Sequence, residues 1–142
     1  MELQPKKSTN NHLVFVYGSL KSGRSNHNAY LGASDMLGRG YMEGLYDLID
    51  LGWYPAVLRR EDGQPTRIYG EVYEVDEDTF YSLDLLEGHP DYYKREQVNL
   101  ADGTRVWTYF LPEGYRDSAE SVVDNGCWRA DDDELAFIEQ VA

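Results

Sequence analysis

The chain holds one cysteine, Cys127, so no internal disulfide can form, and its three histidines, His12, His27 and His89, are scattered rather than set at zinc-ligand spacing. A structural zinc site is excluded. Positive charge is scarce as well: 13 Lys and Arg face 26 Asp and Glu, a formal net charge of -13, and the resulting field repels phosphate backbones and anionic lipid surfaces. Neither nucleic acid nor a membrane is expected as a partner. Solubility, or a salty cytoplasm, accounts for such acidity without any reference to catalysis. Long hydrophobic runs are missing too, since the longest apolar stretch, residues 13–17, is strand-sized and residues 1–11 are polar, with Lys6 and Lys7 but no apolar core of a leader. The expectation is a soluble, cytoplasmic protein.

What is present points to a single domain. A length of 142 residues is enough to bury a real core, with residues 1–12 read as a disordered polar tail and 13–142 as one folded unit. Residues 13–17 form a β-branched and aromatic strand that breaks into the glycine-bounded loop 18–23. A short helix is expected from Asn26 to Leu31, and strand character over residues 41–49, 54–59, 68–75, 92–100 and 105–111. Both faces of the 68–75 strand carry apolar groups, which predicts a central position, and Pro55 marks an edge or a strand start. Asp76, Glu77 and Asp78 open a helix with Phe80, Leu83 and Leu86 on one face, stopped by Gly88 and Pro90. Ala101-Asp102-Gly103-Thr104 is a hairpin turn, residues 112–126 a polar connection, and Asp131 to Asp133 cap a closing helix with Leu135, Ile138 and Val141 on one face. About six strands and two or three short flanking helices, in no βαβ order, predict an α+β fold around a small mixed, barrel-like sheet.

Two local features carry chemistry. In Tyr17-Gly18-Ser19-Leu20 a strand end runs into a glycine turn where successive N–H groups can point at one carboxylate or oxyanion; an ordinary tight turn fits the same residues. The loop lacks the closing Gly-Lys-Ser/Thr of a phosphate loop. In Leu83-Asp84-Leu85-Leu86-Glu87-Gly88 a carboxylate stands at the negative end of a helix beside an apolar residue, and both the helix end and burial raise a carboxyl pKa toward the range of a general base. A solvent-facing glutamate of no consequence is the alternative. The twelve tyrosines add material for a pocket that is apolar yet able to hydrogen-bond.

Tyr17-Gly18-Ser19-Leu20-Lys21 with Gly23-Arg24-Ser25-Asn26-His27, then Leu83 to Gly88 with Tyr93-Lys94-Arg95, and a late Gly126-Cys127-Trp128, together resemble the γ-glutamylcyclotransferase-like superfamily, in its γ-glutamylamine cyclotransferase and AIG2-like branch. The resemblance runs from Val14 to Trp128. It implies a small closed or barrel-like mixed sheet, a glutamyl group bound by backbone N–H groups of Gly18, Ser19 and Leu20 with Tyr17 at the wall, and Glu87 as catalytic acid/base. Tyr93 would line the same cavity, and Trp53-Tyr54-Pro55-Ala56 resembles the aromatic-Pro-Ala segment at the pocket mouth, which brings in Tyr54. Cys127 stands where an acidic residue is common.

The reaction so implied closes the substrate's α-amine onto its own γ-carbonyl, giving 5-oxoproline and a free amine, with no metal, cofactor or enzyme nucleophile. The substrate class is a small-molecule γ-glutamyl amide, and oligomeric state is left open. Two alternatives stand beside this: a non-catalytic γ-glutamyl or acyl-amide binding module, and a cyclotransferase that deprotects a biosynthetic intermediate.

Overall fold

The structure, a computed structural model, describes residues 11–142. Of the polar tail expected over residues 1–12, residues 1–10 lie outside the described residues, and His12 already opens the first strand. The chain runs through β1 (His12–Val16), α1 (His27–Leu31), β2 (Asp35–Gly44), β3 (Tyr46–Asp50), β4 (Pro55–Arg59), β5 (Thr66–Val75), α2 (Glu77–Glu87), β6 (Lys94–Asn99) and β7 (Arg105–Phe110). A 3-10 turn (Glu113–Ser118), β8 (Ser121–Val122) and α3 (Asp132–Val141) complete it.

The strands form one curled, mixed, eight-stranded sheet in the order β2-β5-β1-β7-β4-β3-β8, with β6 paired to β7. This is the expected α+β, barrel-like architecture with flanking short helices. Two strands were not foreseen: residues 41–49 divide at a bend at Leu45 into β2 and β3, and β8 emerges from the 112–126 connection. β2 also begins earlier, at Asp35, because its ladder with β5 runs from Asp35↔Glu74 to Gly44↔Thr66. Pairing overrides the poor strand propensity of Gly38, Gly40 and Gly44.

β5 is central, antiparallel to both β1 and β2 and buried from Ile68 to Tyr73. β7 pairs antiparallel with β6 along its length, and is parallel to β1 at Val14↔Trp107 and to β4 at Val57↔Phe110. The period-two alternation of strands divides the core: Val14, Val16, Ala56 and Leu58 join one buried cluster with Leu31, Phe80 and Leu83 of the helices, while Phe15, Val57, Met42 and Phe110 join the other. The result is that the ends of β1 and β7, the start of β4 and the end of α2 converge.

At α2, Asp76 accepts from the Thr79 N–H at 2.8 Å, and Gly88 takes the left-handed conformation (φ 71°) that ends the helix, as its sequence predicts. The face expected for α3 is observed in part: Ile138 and Val141 are half-buried, but Leu135 is not on the inward side. Leu135 is 47 % exposed and Glu134, at 5 %, points inward instead. The reason is an ion pair with Lys21, whose side chain is fully buried.

Candidate active site

The loop after β1 is held by bonds that engage its carbonyls and leave its N–H groups open. Lys21 N–H donates to Gly18 C=O at 3.0 Å and Asn26 N–H to Ser19 C=O at 2.9 Å, while Asn26 Nδ2 donates to Ser19 Oγ at 2.9 Å. Among the described residues, the N–H groups of Gly18, Ser19 and Leu20 meet no protein acceptor. Unpaired donors lining a concavity are an anion or oxyanion site in waiting. Gly18 serves this arrangement by close approach: a Cβ there would lie 2.8 Å from Pro55 Cδ and 2.9 Å from Cγ. Its φ is not in the left-handed region, so the conformational freedom expected of it is not what it supplies.

The same concavity is lined by Glu87, the last residue of α2. Its C=O accepts from the Tyr93 N–H at 3.1 Å, which fixes the helix end against β6. Burial lifts its carboxyl from the ordinary 4.5 to about 7, and among the described residues no neighbouring cation or donor offsets that effect. The carboxyl is thus poised between its two protonation states near neutral pH.

Tyrosines build the walls, with their hydroxyls committed elsewhere. Tyr17 donates to Tyr109 C=O at 2.6 Å and accepts from Val57 N–H at 3.1 Å. Tyr93 donates to Pro55 C=O at 2.6 Å, and Tyr109 to Asp84 Oδ1 at 2.7 Å, where Arg95 Nε also binds at 2.8 Å. Burial holds the phenols of Tyr17, Tyr93 and Tyr109 above the ordinary tyrosine range, so they stay protonated. Tyr54 and Tyr92 share a 2.6 Å hydroxyl–hydroxyl bond, and Trp53, 86 % exposed, stands at the rim.

All seven residues singled out from the sequence, Tyr17, Gly18, Ser19, Leu20, Tyr54, Glu87 and Tyr93, line one cavity of about 340 Å³, a size suited to a small metabolite. The sequence reading did not find Tyr92, Tyr109, Ser25 or Asn26, which line it too. Tyr109 was within reach of that reading, since it sits near the end of a strand dense in aromatics, and Ser25 and Asn26 stand inside the segment that carries the family resemblance; nothing local marked Tyr92.

The sequence profile of the family described as "Gamma-glutamyl cyclotransferase, AIG2-like" matches residues 14–130. The chain belongs to this family. A Vibrio cholerae protein named "Putative gamma-glutamylcyclotransferase" is 42 % identical over 117 residues, covering 82 % of this chain and 95 % of its own. The "Gamma-glutamylaminecyclotransferase" of Bos taurus is 39 % identical over 99 residues, 65 % of this chain and 58 % of its own. The crystal structure of a mouse AIG2-like protein superposes with a TM-score of 0.71 at 26 % identity, covering 84 % of this chain and 88 % of that one. The protein is an enzyme of the γ-glutamylcyclotransferase type, and a small γ-glutamyl compound is its class of substrate.

In this family frame the remaining reactive group is Cys127. It is buried, and burial pushes its thiol up to about 11, so it is neither exposed nor activated. Among the described residues no group of three His, Cys, Asp or Glu side chains is placed to hold a metal ion, and no helix is long and apolar enough to cross a membrane.

Proposed function

We propose that the enzyme cleaves a γ-glutamyl amide by intramolecular attack of the α-amine on the γ-carbonyl, releasing 5-oxoproline and an amine. The observation that carries this is the presence of two features in one cavity: a carboxyl raised by burial to a pKa of about 7, and a loop whose three N–H groups meet no acceptor among the described residues. Glu87 as carboxylate takes a proton from the substrate's α-ammonium, because only the free amine has a lone pair to attack. The nitrogen bonds to the γ-carbon, the carbonyl π electrons move to oxygen, and the N–H groups of the Gly18–Leu20 loop hold the negative charges of the glutamyl moiety as the tetrahedral centre forms. The protonated Glu87 then gives its proton to the departing nitrogen as the C–N bond breaks, and the carboxylate so restored takes the second proton from the ring nitrogen, which leaves a neutral lactam; that proton passes to the released amine, so one carboxyl serves as base, acid and base again.

The tyrosine walls keep water and alternative substrate conformations out, and the folded geometry removes most of the entropic barrier to ring closure. The leaving amine would sit toward the rim formed by Trp53, Tyr54 and Tyr92. Incubation of the purified protein with γ-glutamyl-ε-lysine, simple γ-glutamyl amines, γ-glutamyl amino acids and glutathione, with 5-oxoproline measured in each, tests the reading. Saturable release from at least one, lost in Glu87→Gln, is expected. Tight binding of these compounds with no 5-oxoproline formed would instead make the protein a binding module.

A further inference from the structure

A second polar constellation lies behind the loop, outside the cavity. Lys21 is fully buried, and its Nζ donates to Glu134 Oε2 at 2.6 Å and to Trp128 C=O at 2.8 Å. The other oxygen of the same carboxylate, Oε1, accepts from Arg24 Nη2 at 2.6 Å, and Arg24 also reaches Arg129 C=O at 2.8 Å. Glu134 is itself fixed in a reciprocal capping box with Asp131. Beneath the loop, the buried carboxylate of Glu71 on β5 accepts from Ser22 N–H at 2.7 Å, Ser22 Oγ at 2.9 Å and Tyr73 Oη at 2.9 Å. Three anchoring positions, 21, 22 and 24, thus follow closely on Gly18-Ser19-Leu20. Glu134 lies beyond residue 130, where the match to the family profile ends. A buried pair is a costly way to gain stability, since the desolvation of both charges offsets much of their attraction, so its retention calls for another role.

We infer that α3 is a strut for the substrate loop, with Lys21, Arg24 and Glu134 as positioning residues that set where the N–H groups of Gly18, Ser19 and Leu20 stand. The inference rests on the reading that this loop holds the glutamyl moiety. Lys21 and Arg24 grip the two oxygens of one carboxylate from two points of the loop, so the loop cannot shift along its own direction without breaking one of them. Trp128 C=O adds a third, directional contact that an apolar pair of equal volume would not reproduce. The loop's register against Glu87 is then governed from the far side of the chain by a helix that does not itself line the cavity.

The test is the paired variant Lys21→Met/Glu134→Leu in the full chain. It removes both charges together and avoids the unfolding that a lone buried charge invites. Amide hydrogen exchange at Arg24 and Asn26, whose N–H groups bond to Lys21 C=O at 3.0 Å and Ser19 C=O at 2.9 Å, reports the loop without any substrate. Exchange at these amides is expected to quicken about tenfold or more while β1 and β5 stay protected. KM for the γ-glutamyl amide that the enzyme turns over should rise about tenfold, with kcat changed far less. Arg24→Gln, a milder change at a partly exposed side chain, should move both readouts the same way. Unchanged exchange in a folded double variant overturns the strut, whatever KM does. Faster exchange with unchanged KM overturns the link to substrate and counts against the loop as the glutamyl holder, which separates the two failures.

Discussion

Glu87→Gln is the perturbation with the most to say, because the same burial that tunes the carboxyl also penalises the fold. A carboxyl whose pKa rises from 4.5 to about 7 on folding binds its proton more tightly in the folded state. Below about pH 4.5 both states are protonated and the penalty is absent; it grows as pH rises and is complete above about 7. A shift of this size corresponds to roughly 3 kcal/mol lost at pH 8, at 1.36 kcal/mol per pKa unit. Glutamine is not desolvated free of cost either, and an unpaired amide returns about 1 kcal/mol of that gain. The variant is therefore expected to be more stable than the parent by about 2 kcal/mol at pH 8, or roughly 6 °C in Tm for a chain of this size. Thermal unfolding followed from pH 4.5 to 8.5 should show the variant slightly the less stable at the acid end, by about 1 kcal/mol, the two Tm curves crossing as pH rises and then separating in the variant's favour toward pH 8. Turnover to 5-oxoproline in the same samples should fall by about two to four orders of magnitude. Parallel Tm curves would refute the claim that Glu87 is a buried, unpaired acid; a folded variant with near-parental turnover would refute its role as proton carrier.

Four further expectations follow. In the parent enzyme kcat/KM should decline on the acid side with an apparent pKa near 7, well above that of a free glutamate, and a limb near 4.5 would show that Glu87 is not the titrating group. Gly18→Val should raise KM about tenfold or more, because its side chain drives Pro55 from a position where a Cβ already lies at 2.8 Å, and Pro55 in turn carries the Tyr93 hydrogen bond; unchanged kinetics in a folded variant would count against the loop. Tyr93→Phe should cost about 1 kcal/mol of stability by leaving Pro55 C=O unpaired, with kcat retained within about tenfold, since its hydroxyl faces backbone rather than substrate. Turnover should resist both EDTA and thiol blockers, the latter because Cys127 is buried with its thiol pKa at about 11; inhibition by chelation, reversed by added metal, would replace the mechanism given above.

How much of this was legible in the sequence depended on how local the governing interaction was. The α2 boundaries were readable because Asp76 and Gly88 act within a turn of the helix ends, and the β6–β7 hairpin because Asp102-Gly103 closes it through contacts between Leu100 and Thr104. Glu87 and the Tyr17–Leu20 loop lie 67 residues apart at their nearest, from Leu20 to Glu87, and no periodicity brings them together. Family resemblance supplied that pairing; the sheet, by aligning the ends of β1 and β7, supplies the physical cause.

The places where local reading failed share one origin, which is that partners distant in sequence changed what a residue could do. Gly38, Gly40 and Gly44 are poor strand formers, yet β5 pairs with them for the length of β2. Leu135 is the more apolar residue at the start of α3, yet Glu134 is the one turned inward, because Lys21 offers it a buried cation 113 positions away. The Lys21–Glu134 pair couples the last helix to the loop that lines the cavity. The position of α3 thus owes to the half-buried Phe137, Ile138 and Val141 together with the Lys21–Glu134 pair, and a helix that reads as simple closure of the core is tied by that pair to the loop beside Glu87.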